Sequence, residues 1–400
     1  MTPAARVNSE RAKRCKTILF FFLVALAWVY SLLAIMAALR YATVRPPALH
    51  SPSPMSVLKP LAGHQEELED NLRTFFEQDY PAFELVFAVR TVHDPAVTVV
   101  ERLKLEYPHI PTRLIVTGEP TYANAKVYSL ERMLSEAAND LIVMSDSDVR
   151  AGPDLLRTVS AEFQDSQLGL TTCPYRAVAG ASLWSRMEAV GMNTDFMAGI
   201  LVARMIEGMR FAVGPTIVAR RSVLQSIGAF DKVKDYLAED FLMGKLVAAA
   251  GYGVALSSYV IEHHIGNSTL RQNVEHRLRW VRSTRRSRRW AYPGLFLTMP
   301  LPLALLACAA HPGWWPLLPF ILVVRCVAAY VVSVRVLKAK VPWWLLLIED
   351  LAGFFFWAAG FFGNTIVWQG QQYRLYSNGR FELLPSLRQA FPHHSASAGR

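Results

Sequence analysis

Three acidic positions in this chain have the side chains and spacing for divalent-ion and proton chemistry. Asp146-Ser147-Asp148 follows the apolar run Leu141–Met144. So short an apolar run reads as a buried strand, and a parallel sheet presents the residues at its carboxyl edge to ligands. Two carboxylates at i and i+2 there can share one hard cation, Mg2+ or Mn2+, which takes oxygen ligands and bridges protein to substrate phosphate. A turn or helix N-cap would use the same residues. Asp94, in His93-Asp94-Pro95, likewise follows a strand-like run, Glu84–Arg90. Its carboxylate could accept hydrogen bonds from a base or ribose, or simply turn the chain into the next helix. Glu239-Asp240 opens the run EDFLMGKLVAAAG. Acids in a first helical turn suit the dipole, and a carboxylate here can also take the proton of an attacking alcohol. Asp240 is the candidate base and Glu239 the second choice.

A cationic counterpart lies downstream in His276-Arg277-Leu278-Arg279-Trp280. Arginine grips phosphate with two donors, and tryptophan stacks on a sugar ring or sits at a membrane interface. A departing nucleotide gains negative charge in the transition state, so a cation aimed at it speeds the reaction.

The elements that must position these groups alternate. Ser56–Pro60, Glu84–Arg90, Arg113–Val116 and Leu141–Met144 predict strands; Leu68–Glu77, Ala96–Glu106, Ala125–Ala137 and Pro153–Phe163 predict helices. Such alternation implies a mainly parallel sheet covered on both faces. Ser182–Met209 has helical spacing and many methionines, and reads as a core or membrane-facing helix or as the wall of a lipid groove.

Composition sets the surroundings. The 400 residues are 52% hydrophobic with a formal charge of +10, and mean hydropathy is +0.21. Much of the basic excess falls in Arg271–Arg289, directly before an apolar region, which favours a membrane surface over nucleic acid. The four cysteines are scattered with no CxxC spacing, so no disulfide framework or zinc site is expected. Residues 1–16 form a basic tail. Thr17–Leu39 is long enough to span a bilayer, too long for a signal-peptide core, and is read as an anchor at 17–39. A Pro-rich linker covers 44–54, a globular domain 55–265 and an amphipathic interfacial segment 266–290. About three membrane segments fill 291–368 (Leu295–Ala310, Leu317–Leu337 and Trp343–Trp368), and a tail covers 369–400. Arg325, Glu349 and Asp350 are costly inside such segments unless paired or near an end. The Arg271–Arg289 and Arg335/Lys338/Lys340 regions put the globular domain in the cytoplasm, whereas Arg11, Lys13, Arg14 and Lys16 pull the other way.

The order of motifs, with VLKPLAG (57–63), NLRTFFEQDYP (71–81), HDPA (93–96), NAK (124–126), SDSDVR (145–150), AEDF (238–241) and HRLRW (276–280), resembles the family 2 and family 21 glycosyltransferases. It looks most like ceramide glucosyltransferase and its bacterial relatives, including hopanoid-biosynthesis glycosyltransferases, over about Met55 to Trp280. The resemblance implies a GT-A fold, Rossmann-like α/β, with membrane helices at both ends. It implies inverting transfer of a hexose or N-acetylhexosamine from a UDP-sugar to a lipid hydroxyl, at the cytoplasmic face of a bacterial inner membrane. By family roles Asp94 would bind the nucleoside, and Asp146 with Asp148 the metal (Mg2+ or Mn2+) and diphosphate. Asp240 would be the base, while Arg279 and Trp280, with His276 beside them, would close over diphosphate and acceptor. Lys59 and Lys126 would lie near the nucleotide. His276 resembles the hopanoid enzymes and Glu239-Asp240-Phe241 the ceramide ones, so a sphingolipid-like acceptor and a hopanoid receiving N-acetylglucosamine both stand. A processive polysaccharide synthase would need more membrane helices, and a nucleic-acid binder would leave the acidic sites unexplained. The segment Trp368–Tyr373 resembles a tail of such membrane transferases and receives no catalytic role.

Overall fold

The computed structural model describes residues 3–63, 66–368 and 370–384. Strand β1 (Met55–Pro60) pairs in parallel with β2 (Phe83–Val89), which pairs in parallel with β3 (Thr112–Val116). On its other side β1 pairs in parallel with β4 (Leu141–Ser145). Two-residue β5 (Val149–Arg150), β6 (Leu168–Thr172), β7 (Tyr175–Val178), β8 (Thr216–Arg220), β9 (Gly253–Leu256) and β10 (Ile261–His264) follow. The main sheet runs β3-β2-β1-β4-β8-β6-β9, and only β8 opposes its neighbours. The four predicted strands hold, as does the mainly parallel α/β sheet.

Why this half of the chain folds so is visible along each strand. In β2, Phe83, Leu85, Phe87 and Val89 enter one core, and Val86 and Ala88 the other. In β4, Leu141 and Val143 face the first, Ile142 and Met144 the second. Strands covered on both faces read as continuous apolar runs, as a parallel sheet requires. Helices Leu68–Phe76, Pro95–Glu106, Ala125–Glu136 and Leu155–Glu162 supply the covering layers.

A second set of helices forms a separate apolar cluster. Ala34, Ala37, Ala38 and Tyr41 pack on Met197–Ala203 and on Val331–Leu337. Small residues on one face let helices approach closely. Among the described residues three helices are long and apolar enough to cross a membrane: Arg14–Tyr41, Leu183–Glu207 and Leu317–Val336.

Several boundaries differ from expectation. The basic tail and anchor belong to one helix, Pro3–Tyr41. Leu295–Ala310 breaks into a 3-10 turn, Pro293–Thr298, and a short helix, Pro300–Ala310, because Pro300 cannot continue the hydrogen-bond ladder. Trp343–Trp368 is not one segment. Its helix ends at Ala359, and Thr365–Trp368 is strand β11 of a small antiparallel sheet with β12 (Gln371–Leu375) and β13 (Phe381–Leu383). Glu349 and Asp350 face protein: Arg277 donates to Glu349 at 2.7 Å and Arg325 to Asp350 at 2.6 Å. The described part of the 369–400 tail is this sheet; 385–400 lie outside the described residues.

The basic segment is a helix, Leu270–Ser287, started by a Thr269/Gln272 capping box. Much of its charge is turned inward rather than spread on a surface. Arg282 donates to the Phe362 carbonyl, and Arg285 to those of Gly360 and Phe361. These carbonyls lie just past the end of helix Trp343–Ala359, where cations satisfy unpaired acceptors and the dipole.

Candidate functional site

Asp146-Ser147-Asp148 is the turn between β4 and β5, at the carboxyl edge of the sheet. Buried Lys59, on β1, donates to the Asp146 carbonyl at 2.7 Å and packs on the Phe75 ring. Burial lowers its pKa to about 7, against the pull of Asp146 and Asp148. Lys59 lies outside the cavity lining and holds the turn from beneath. Lys126 does reach the site. Its Nζ lies 2.7 Å from Asp146 Oδ1 and 3.4 Å from Glu239 Oε1. Burial works against its charge, but Asp146 and Glu239 outweigh it and raise the pKa.

The Asp148 carboxylate accepts from His263 Nε2 at 3.1 Å. His263 is on β10, which pairs with β5 and so brings the imidazole beside the aspartate. Burial would raise the Asp148 pKa, yet His263 and Lys59 hold it below the usual value. Asp148 Oδ1 is buried and has no partner among the described residues. An orphaned carboxylate oxygen is costly unless something meets it, and this one sits beside a second carboxylate. The pair fits a hard cation such as Mg2+ or Mn2+. Among the described residues no group of three His, Cys, Asp or Glu side chains could hold an ion alone, so substrate oxygens would complete its shell.

Asp94 caps helix Pro95–Glu106. Oδ1 accepts from the Ala96 N–H at 2.9 Å and Oδ2 from the Gly63 N–H at 3.0 Å. It is both the turn residue and a cavity-lining group.

Asp240 lies in the first turn of helix Glu239–Ala249. Oδ1 accepts from the Phe241 N–H at 2.7 Å. Burial, with Glu239 and Asp146 nearby, pushes its pKa up to about 7 against the pull of Lys126. Glycines set its position. A Cβ on Gly214 would stand 3.0 Å from Asp240 Oδ2, and one on Gly244 would stand 2.5 Å from the Phe211 carbonyl carbon. Helix Glu239–Ala249 therefore lies flat on the 211–214 backbone. Gly244→Ala should destabilise the protein by about 1–3 kcal/mol, seen as a lower midpoint of thermal unfolding in detergent; an unchanged midpoint would refute the close approach.

From helix Leu270–Ser287, His276, Arg279 and Trp280 reach the same cavity. His276 Nδ1 donates to Glu188, and its ring lies 5.0 Å from that of Trp280. Trp280 also packs on Phe196, at 5.5 Å. Arg279 lies over Trp368 at 5.9 Å and has no carboxylate within 4.0 Å among the described residues. Burial lowers its pKa while Glu239, Glu188 and Asp146 pull upward, so three carboxylates at a distance balance a guanidinium that none of them holds.

Asp94, Asp146, Asp148, Lys126, Glu239, Asp240, His276, Arg279 and Trp280 thus line one cavity of about 1170 Å³. Of the predicted site residues only Lys59 stays outside. The sequence missed His263, Glu188 and Trp368. His263 and Glu188 meet their partners across 115 and 88 residues, which no local pattern reveals. Trp368 falls in the segment that resembles a tail.

The profile described as Glycosyl transferase family 21 matches residues 19–381. Ceramide glucosyltransferase 1 of Caenorhabditis elegans is 26% identical over 230 residues, 57% of this chain and 49% of the relative. Ceramide glucosyltransferase of Komagataella phaffii is 30% identical over 131 residues, covering 32% and 26%. The chain spans about half the length of the first relatives. In architecture it is similar to a mannosyltransferase of Pyrobaculum calidifontis, solved with GDP-Man and Mn2+. Identity is 17%, the TM-score 0.52, and coverage 86% and 97% of the two chains.

Proposed function

Because this chain belongs to glycosyl transferase family 21, we propose that it transfers one sugar, with inversion, from a UDP-sugar to the hydroxyl of a ceramide-like membrane lipid. The observation that carries this reading is a single cavity. Its acidic and cationic groups lie at the sheet edge, and its walls continue between helices long and apolar enough to cross a bilayer. The donor enters at the sheet edge, where Asp94 faces its nucleoside. The lipid enters from the side of Phe196, Met299 and Phe356.

Asp240 Oδ2 makes no hydrogen bond among the described residues and takes the proton of the acceptor hydroxyl. The freed oxygen attacks the anomeric carbon, and the bond from that carbon to the diphosphate oxygen breaks. Arg279 meets the charge that develops on the diphosphate. Trp280 and Phe196 exclude water beside the reacting carbon. Lys126 fixes Asp146 and Glu239, so neither competes with Asp240 for the proton. Asp146 and Asp148 would hold the divalent ion, which when bound neutralises the diphosphate. The relatives named ceramide glucosyltransferase favour glucose as the sugar, and the mannosyltransferase solved with Mn2+ favours a divalent ion. Trp290, at 87% exposure, and exposed Arg271 support a catalytic domain at the cytoplasmic surface.

The test is direct. Protein in detergent receives UDP-glucose or UDP-N-acetylglucosamine, Mg2+ or Mn2+, and N-acylsphingosine. Glycolipid should appear in the organic phase; no turnover with any UDP-sugar would reject the reading. Asp146→Ala should weaken Mn2+ binding by on the order of 100-fold, the upper range lost when even outer partners of a metal site are removed. Titration of Mn2+ by electron paramagnetic resonance reads this without turnover, and unchanged affinity would remove Asp146 from that role.

A further inference from the structure

The cavity has a second polar end, away from the sheet edge. Arg325, Glu349, Asp350, Arg277 and Asp195 line it, and Arg325 and Asp195 sit in helices long and apolar enough to cross a bilayer. Ionisable side chains at such depth are rare and mark function. Arg325 is already satisfied: Nε and Nη2 both donate to Asp350, at 2.9 and 2.6 Å. Arg277 is likewise matched with Glu349. Two cations therefore answer two carboxylates, and Asp195 is left over. Among the described residues it takes only the edge of Arg325 Nη2, at 3.0 Å from Oδ2.

Asp195 differs from its neighbours in exposure as well. Arg325 and Asp350 are 5% and 4% exposed, whereas the Asp195 side chain is 46% exposed and lines the cavity. It is carried on a π-turn, Met192–Phe196, within helix Leu183–Glu207. Such turns insert one residue and occur often at functional sites. The next residue is Phe196, which packs on Trp280 at 5.5 Å. Asp195 is thus one residue from the wall of the reacting centre, with a carboxylate oxygen lacking a donor among the described residues.

We propose that Asp195, braced by the Arg325–Asp350 pair, binds a second hydrogen-bond donor of the lipid acceptor, an amide N–H or a second hydroxyl near the one that is glycosylated. This rests on the lipid-acceptor reading above. An acceptor that bound lipid seals from water costs binding steeply if it then lacks a donor, so such a site rejects lipids lacking the group. Arg325 is a positioning residue here, and Asp195 is the one that touches substrate.

The experiment uses full-length protein in nanodiscs and the UDP-sugar that the wild type turns over. Four acceptors are compared: N-acylsphingosine, its N-methyl-amide analogue, its 3-deoxy analogue and 1,2-diacylglycerol. Wild type should prefer N-acylsphingosine over the analogue missing the bound donor by on the order of 10–100-fold in kcat/KM. The analogue that loses that factor identifies amide or hydroxyl. Asp195→Ala should bring the preference to within about threefold while UDP affinity, read by calorimetry, stays unchanged; Asp195→Glu should restore part of it. Equal use of N-acylsphingosine and both analogues by wild type, or an unchanged preference in Asp195→Ala, would overturn the inference. Absence of transfer to any of the four lipids would overturn the acceptor reading itself and this inference with it.

Discussion

Asp240→Asn should lower the rate of sugar transfer by about 10²–10⁴-fold, the usual worth of a general base, while UDP-sugar affinity changes little. Asparagine keeps the size of the side chain and an oxygen for the Phe241 N–H, which donates to Oδ1 at 2.7 Å. What it loses is basicity. The wild-type pH profile carries the same information. Burial and the neighbouring Glu239 put the Asp240 carboxyl at about 7. The active form is the ionised one. Rate should therefore fall roughly tenfold per pH unit below 7 and level off above it. In Asp240→Asn that limb should flatten. A variant with near-normal turnover, or a wild-type rate that is flat from pH 5 to 8, would show that another group takes the proton. Glu239 is a poor substitute, since its carboxylate lies 3.4 Å from Lys126 Nζ and 3.3 Å from Asn124 Nδ2.

The first half of the sheet was legible because β1, β2 and β4 are buried on both faces, so their apolar runs stand out without any knowledge of partners. The acidic sites were legible for a related reason: each follows such a run or opens a helix, and local chemistry places it at the sheet edge. The second half was not. β5 has two residues, and β10 reads Ile-Glu-His-His, so neither alternates nor runs apolar. They exist because β10 pairs with β5 on one side and with β7 on the other, across long loops. His263 enters the site by that pairing alone. Lys59 shows the converse limit. It stands in a strand beside the motif, but buried side chains in β1 turn beneath the turn rather than into the cavity. Asp195 was hidden because a π-turn has no sequence signature; without that turn the helix simply reads as apolar.

The second large effect separates two arginines on one helix. Arg277→Ala would strand Glu349, a carboxylate 3% exposed, and breaking a buried pair on one side costs about 3–5 kcal/mol. That substitution should show in unfolding and in poor yield. Arg279→Ala should show in chemistry instead. Its guanidinium lies over Trp368 at 5.9 Å, and among the described residues no carboxylate is close enough to need it. Removing it strands nothing. It should leave the unfolding midpoint within a degree or two and lower kcat by about 10²–10³-fold, the scale for losing one preorganised donor to a developing anion. Lysine should rescue little, because the bidentate fork is what matches a diphosphate. The deficit should appear in single-turnover transfer, where product release cannot mask it. If Arg279→Ala were instead as unstable as Arg277→Ala with normal turnover per folded molecule, the cation would belong to the fold, and the diphosphate would have to be met by the divalent ion and Lys126.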